Sequence, residues 1–313
     1  MTKQERVLAA IQGRPVDVVP YSIWYHFGTQ FLPGDKAAEV VIAFYERYDL
    51  DFLKVMNDYA YPLPDGLDRI RSITDWKRLR PLKSTEGGFV EQLKLLTEVA
   101  KRLEGEALFV DTVFDPFYVA RRTAKDIIFE LLRSHPEEFK QGLGVITESV
   151  CNYVNAVLEI GAAGIFLAVN GATTDFFTRD AFCEFVKPYG IRVLEAIQDK
   201  ALFNIVHIHG ENILFDEILD YPLHALSWEH LHTPPSLAEA RQKTDVCLIG
   251  GIDEKHPNHA HPDELEMQVE DALRETHGEK FILAPGCSLP TDMPVEQIDL
   301  IYKAIRSEVK GER

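Results

Sequence analysis

A short apolar run followed by an amphipathic stretch recurs along the whole chain, and this alternation restricts the fold more than any other feature. The runs occupy residues 18–24, 51–56, 107–111, 164–169, 202–206, 225–228, 246–250 and 281–284. Each is of strand length, and most are nearly continuous in apolar side chains, as parallel strands buried on both faces require. Helical periodicity fills the intervals at 36–48, 89–102, 136–160, 179–198, 213–219, 236–243, 262–276 and 294–308. Thr178 ahead of Arg179, and the acids after Pro262 and Pro294, are start signals for three of them. Eight such units predict a (β/α)8 TIM barrel, one domain over residues 1–313. A doubly wound open sheet is the alternative, but no GxGxxG follows the first strand to support it.

The chain has 313 residues, 46% of them hydrophobic, which suffices for a barrel-sized core. Against 33 Lys and Arg stand 50 Asp and Glu, a formal charge of −17. Nucleic acid and anionic membrane are disfavoured as partners, because phosphate binding needs concentrated cations. The start reads as an amphipathic helix, without the apolar segment of a signal peptide. No apolar run approaches the roughly 20 residues of a membrane span. The four cysteines form no CxxC pair, so reduced thiols in a cytoplasm are expected.

In a barrel the chemistry sits where strands end. The predicted ends carry Trp24, Tyr25 and His26; Asn57 and Asp58; Asp111; Asn170; His207 and His209; Glu229 and His230; Asp253; and Cys287. Residues two apart on a strand share a side, so His207 and His209 can face one point. With the thiolate of Cys287 they suit a zinc ion with an open fourth position. The same residues also fit a core histidine bonded to backbone and an ordinary buried thiol. Cys151, Cys183 and Cys247 read as core filler, and His256, His259 and His261 as a solvated loop. Arg121 and Arg122 after the third strand either reach an anionic ligand or start a surface helix.

These segments resemble the uroporphyrinogen decarboxylase superfamily, which includes methylcobamide:coenzyme M methyltransferases and, more distantly, cobalamin-independent methionine synthase. The resemblance rests on residues 2–20 (TKQERVLAAIQGRPVDVVP), 161–167 (GAAGIFL), 185–189 (FVKPY), 236–241 (SLAEAR) and 249–253 (IGGID). It covers nearly the whole chain and is specific as a set. The decarboxylases carry two N-terminal arginines for substrate carboxylates, whereas residues 21–28 here hold none. Asp58 matches the position of their aspartate. The zinc methyltransferase branch has His-x-Cys and a distant Pro-Gly-Cys, and this chain has His207-Ile208-His209 and Pro285-Gly286-Cys287. The departure is His for Cys at 209, which makes a bound zinc more electrophilic.

The resemblance thus implies Zn2+ on His207, His209 and Cys287, with Glu229 or His230 competing as fourth ligand. It implies methyl transfer from a methylcobamide on a separate corrinoid protein to a small thiol or related acceptor. The chain shows no corrinoid-binding domain of its own. Asp58 and Asn170 would position the acceptor. Tyr25 and Trp24 would wall the pocket, with Trp24 and His26 on the cofactor side. The alternatives are a metal-independent decarboxylase of uroporphyrinogen or another carboxylated small molecule, resting on Asp58, and a non-catalytic subunit of a demethylase system. A homodimer is allowed, the sequence leaving the oligomeric state open.

Overall fold

The computed structural model describes residues 1–255 and 261–310. Seven parallel strands form one sheet in sequential order. They are β1 (Phe52–Val55), β2 (Leu108–Phe114), β3 (Gly164–Val169), β4 (Ile205–Ile208), β5 (Ala225–Trp228), β6 (Cys247–Ile252) and β7 (Phe281–Pro285). Helices intervene between successive strands, giving a TIM-barrel-like α/β fold. No helix of the described residues is long and apolar enough to cross a membrane.

The two-residue period of the strands sorts their side chains into two clusters. Phe52, Val110, Phe166, Ile205, Ala225, Cys247, Ile249 and Ile282 pack together with Trp24 on one side of the sheet. Val7 and Ala10, from the helix Lys3–Ile11, join the same cluster. Their neighbours Leu53, Phe109, Ile165, Val206, Leu226, Leu248 and Leu283 pack with the surrounding helices. Two residues beyond the apolar inner set, polar groups take over. Lys54 follows Phe52, Thr112 follows Val110, His207 follows Ile205 and Ser227 follows Ala225, and all four are buried. The site stands on this transition from an apolar to a polar layer.

Three expectations are corrected. Among the described residues there are seven strands rather than eight, because residues 18–24 do not form a ladder. Tyr21 and Tyr25 make only isolated parallel bridges, to Leu283 and Leu289. Pro20 has no N–H to give. The Tyr21 N–H goes instead to the Asp51 carboxylate at 2.9 Å, and the Ser22 hydroxyl to the carbonyl of Phe52 at 2.9 Å. Ser22 N–H donates to Leu283 O and Asp51 N–H to Tyr21 O, so the segment lies between β7 and the approach to β1 without strand pairing.

The second correction concerns β4, which starts three residues later than residues 202–206 suggest. Leu202 and Phe203 both donate to the carbonyl of Ala163, and Leu202 is 56% exposed. Pairing begins at Ile205, opposite Phe166 and Ala225, so His207 lies inside the strand. The third is the helix placed at 179–198, which is two, Arg179–Phe185 and Lys187–Glu195. Pro188 supplies no N–H and its ring crowds the carbonyl four residues back, so the helix breaks at Val186. The loop histidines His256 and His259 lie outside the described residues.

Asp51 ties the irregular segment down. Its carboxylate is 1% exposed, takes the Tyr21 N–H and pairs with Arg6, which also holds the more exposed Asp17 at 2.8 Å. Asp51→Ala is expected to lower unfolding free energy by about 1–3 kcal/mol, since it leaves the buried Tyr21 amide unsatisfied and removes one of the two carboxylates on the half-buried Arg6. Asp17→Ala should cost at most about 1 kcal/mol. Urea unfolding of the two variants checks this, and equal losses would contradict the assigned role of Asp51.

Candidate metal centre and ligand cavity

His207 projects from the inner side of β4, and the N–H of His209 continues the pairing by donating to Val169 O at 3.1 Å. Cys287 comes two residues after the end of β7. One ligand atom from each of His207, His209 and Cys287 lies within 4.8 Å of the other two. The strand-end histidines and the distant cysteine of the sequence therefore converge.

Register explains the orientation of His207. The residue opposite it on β5 is Ser227, whose hydroxyl lies 3.3 Å from His207 Nδ1 and donates to Gly286 O at 3.4 Å. With its proton spent on Gly286, that hydroxyl accepts from Nδ1–H, which leaves the lone pair on Nε2. His207 Nε2 is buried and has no hydrogen-bond partner among the described residues. A buried, unpartnered nitrogen beside a second imidazole and a thiol is the donor set that zinc takes, so these residues fit the ion.

The electrostatics agree. Burial works to raise the Cys287 thiol, but the neighbouring imidazoles of His207 and His209 overcome it and bring its pKa down to about 5. His209 is pushed up to about 10 by its contacts with Cys287 and Glu229, at 3.7 and 3.2 Å from Nδ1. Glu229, although buried, is drawn down to about 2 by His209 and by Lys255, whose Nζ lies 2.8 Å from Oε2. Both shifts favour the ionised forms of Cys287 and Glu229.

Of the two candidates for a fourth ligand, Glu229 contacts His209 but lies outside the group of three whose ligand atoms converge within 4.8 Å, and His230 is engaged elsewhere. His230 Nε2 accepts the Gly251 N–H at 2.8 Å, and burial lowers its pKa to about 4. Gly286 gives Cys287 its approach, because a Cβ there would fall 2.6 Å from Glu254 Oε2 and 3.2 Å from Trp228 O.

A cavity of about 340 Å³ receives the three donors. Asp58 lines it, its Oδ1 2.7 Å from His26 Nδ1, and His26 lines it too. Asn170 lines it as well, held by its N–H to the buried Asp115 carboxylate at 2.9 Å. Asp115 also caps the helix Pro116–Ala124, so the ends of β2 and β3 share one anchor. Trp24 and Tyr25 are not among the lining residues. The Trp24 indole packs beneath, edge-on to Phe166 at 5.6 Å, because the inner apolar layer buries it. Tyr25 gives its hydroxyl to Thr291 O and its ring to Phe27. Neither walls the pocket as expected.

Two further residues were not singled out from the sequence. Lys54 interrupts the apolar run of β1 and lines the cavity while only 4% exposed. Its signal was legible, since a lysine on the inner face of a barrel strand needs a reason. Desolvation lowers its pKa to about 7, against the opposing pull of Cys287, Asp58 and Asp111. Glu254 is buried with both carboxylate oxygens unpartnered among the described residues, and burial raises it to about 8. It also brings a ligand atom within 4.8 Å of His232 and Asp253. Nothing in the sequence distinguished it from the acids of a surface loop.

The uroporphyrinogen decarboxylase (URO-D) family profile matches residues 2–308. The chain is similar to the methylcobamide:CoM methyltransferase MtaA of Methanosarcina barkeri, 27% identical over 172 residues, covering 53% of this chain and 48% of that protein. It thus spans about half the length of the curated relatives it matches. Among solved structures it is similar to a methyltransferase from Methanosarcina mazei, with a TM-score of 0.79, 18% identity, and coverage of 97% of this chain and 98% of that one. A B12-independent methionine synthase from Shewanella sp. W3-18-1, in complex with selenomethionine, superposes with a TM-score of 0.62 at 11% identity, covering 93% and 92% of the two chains. At these identities the structural likenesses show the fold alone.

Lys54 gives a pH test. Its ammonium is charged in the unfolded chain up to about pH 10.5 but loses its proton near 7 when folded. The unfolded state therefore binds more protons in that window, and folding stability rises with pH there. The deficit of the wild type relative to Lys54→Met should shrink between pH 7 and 9, by up to about 1.4 kcal/mol per pH unit. Urea unfolding of both proteins at the two pH values checks this, and a constant difference would contradict the desolvated lysine.

Proposed function

Because the chain belongs to the uroporphyrinogen decarboxylase family, we propose that it is a zinc-dependent methyltransferase moving a methyl group between a corrinoid protein and a small thiol or related acceptor. The observation that carries this is the convergence of ligand atoms of His207, His209 and Cys287 within 4.8 Å. The likeness to a methylcobamide:CoM methyltransferase supports the corrinoid and thiol sides of the reading.

His207 Nε2, His209 and Cys287 would hold the ion, and Glu229 beside His209 would complete the set. When bound, zinc supplies the positive charge that keeps an acceptor thiol ionised at neutral pH. Ser227 fixes the His207 ring through Nδ1, so the donor nitrogen is presented without rearrangement. Asp58, oriented by His26, and Asn170, oriented through Asp115, would position the acceptor in the cavity. A methylated corrinoid, when bound at the mouth, would supply the methyl group to the acceptor sulfur held in the cavity. The methyl donor would dock at the cavity mouth as a separate protein. Within a cell this chemistry belongs in the reducing cytoplasm, where its four free thiols persist.

A metal-independent decarboxylase is the second reading. In its favour, Asp58 lines the same cavity, held at 2.7 Å by His26. A volume of about 340 Å³ favours a small carboxylated substrate over a tetrapyrrole.

The test is demethylation of free methylcobalamin by a thiol, followed by the absorbance change of the corrinoid. The zinc-loaded wild type should catalyse it, and Cys287→Ser should lose at least tenfold, about 1.4 kcal/mol or more of transition-state stabilisation. Activity unchanged in Cys287→Ser would overturn the reading, and decarboxylation of a supplied carboxylic acid by metal-stripped protein would install the second one.

A further inference from the structure

A second group of donors shares no residue with the first. His232, Asp253 and Glu254 each bring one ligand atom within 4.8 Å of the other two. Asp253 and Glu254 follow directly on β6. His232 sits in the turn after β5, its N–H bonded to Glu229 O at 2.9 Å. Its ring Nε2 lies 2.7 Å from Asp253 Oδ1. The aspartate is held on both sides, its N–H donating to Gln268 Oε1 at 3.0 Å and its Oδ1 taking the Lys255 N–H at 2.7 Å.

Glu254 is the member that asks for a ligand. It is 4% exposed, and neither carboxylate oxygen has a hydrogen-bond partner among the described residues. Lys255, the next residue and a cation, gives its ammonium to Glu229 at 2.8 Å. A buried carboxyl without a partner is costly in either protonation state, and the ionised form more so. An ion pair between His232 and Asp253 accounts for those two side chains and leaves Glu254 unexplained. The cluster is not sealed, since the side chains of His232 and Asp253 are 21% and 15% exposed, which leaves a path from solvent. One imidazole and two carboxylates, without sulfur, suit a harder divalent ion than the cluster that contains Cys287.

We propose that His232, Asp253 and Glu254 form a second cation site, which takes a divalent ion preferring oxygen and nitrogen donors, such as Mn2+, and joins the ends of β5 and β6. The charge of such an ion offsets the two carboxylates, and the imidazole supplies a neutral donor. No step of methyl transfer passes through this site, and it stands whether or not zinc binds at Cys287. Its role is structural. A Cβ at Gly286 would fall 2.6 Å from Glu254 Oε2 and 3.1 Å from Glu229 Cα, so Glu254 forms part of the wall against which the turn to Cys287 packs. An ion that fixes Glu254 fixes that wall.

Manganese is the probe. The protein, with and without prior loading with one equivalent of zinc, is titrated with Mn2+ at physiological ionic strength, and free Mn2+ is read by electron paramagnetic resonance. One Mn2+ per chain should bind, and the melting temperature should rise with it. Glu254→Gln keeps the shape and removes the charge, and it should weaken that binding about tenfold or more and abolish the rise in melting temperature. His232→Gln, on a partly exposed side chain, carries the same expectation and decides the matter if the buried variant does not fold. Cys287→Ser should keep the manganese site. A titration showing only weak association without a defined stoichiometry, as an acidic surface gives, would overturn the proposal. So would an unchanged affinity in Glu254→Gln and His232→Gln, or loss of the bound Mn2+ in Cys287→Ser, which would assign the ion to the first cluster. A protein that does not load zinc but keeps the manganese site would count against the zinc reading and support this one.

Discussion

The geometry of the site depends on the registered pairing of β4 between β3 and β5. Pairing sets His207 opposite Ser227, and the two-residue strand period turns it to the same side as Ile205 below it. A slip of one residue would send His207 into the helix layer and Ile208 into the cavity. Every later feature inherits this choice. Ser227 orients the ring and reaches Gly286, whose lack of a Cβ lets the turn bring Cys287 close. The apolar residues beneath hold the polar layer at a fixed height, since a close-packed interior yields little.

Charge is distributed locally against the chain's overall balance. An excess of acids covers the molecule, yet the cavity gathers Lys54, Arg122 and three histidines. At one end, the imidazoles favour ionisation of Cys287, and His209 is itself steadied by Glu229, which Lys255 supports from outside. At the other, Lys54 stands in an aromatic surround without a counter-ion among the described residues. Each end is incomplete in the opposite sense, one rich in electron-pair donors and the other in hydrogen-bond donors.

Much of the fold could be read from the residues. The runs at 164–169 and 225–228 coincide with β3 and β5, because both are largely apolar and end at polar residues. The helix Pro262–Thr276 begins where its proline and acids predict and runs over the expected residues. The first strand failed because what decides it is remote, the side chain of Asp51 claiming the Tyr21 amide. β4 was misplaced because Leu202 looks buried in sequence but is exposed in the fold. In the site, His207, His209 and Cys287 were found through strand-end position. His230 could be separated from Glu229 only by its bond to Gly251, a contact with no local signature. Tyr25 and Trp24 share a predicted strand end with His26, yet partners on other elements draw them away.

The central claim is that one sulfur and two imidazole nitrogens of this chain share a cation. X-ray absorption at the zinc edge of the reconstituted protein measures that most directly. The account predicts one sulfur scatterer at about 2.3 Å with nitrogen and oxygen at about 2.0–2.1 Å, and imidazole multiple scattering from two rings. A shell of oxygen and nitrogen without sulfur, or two sulfurs, would contradict it.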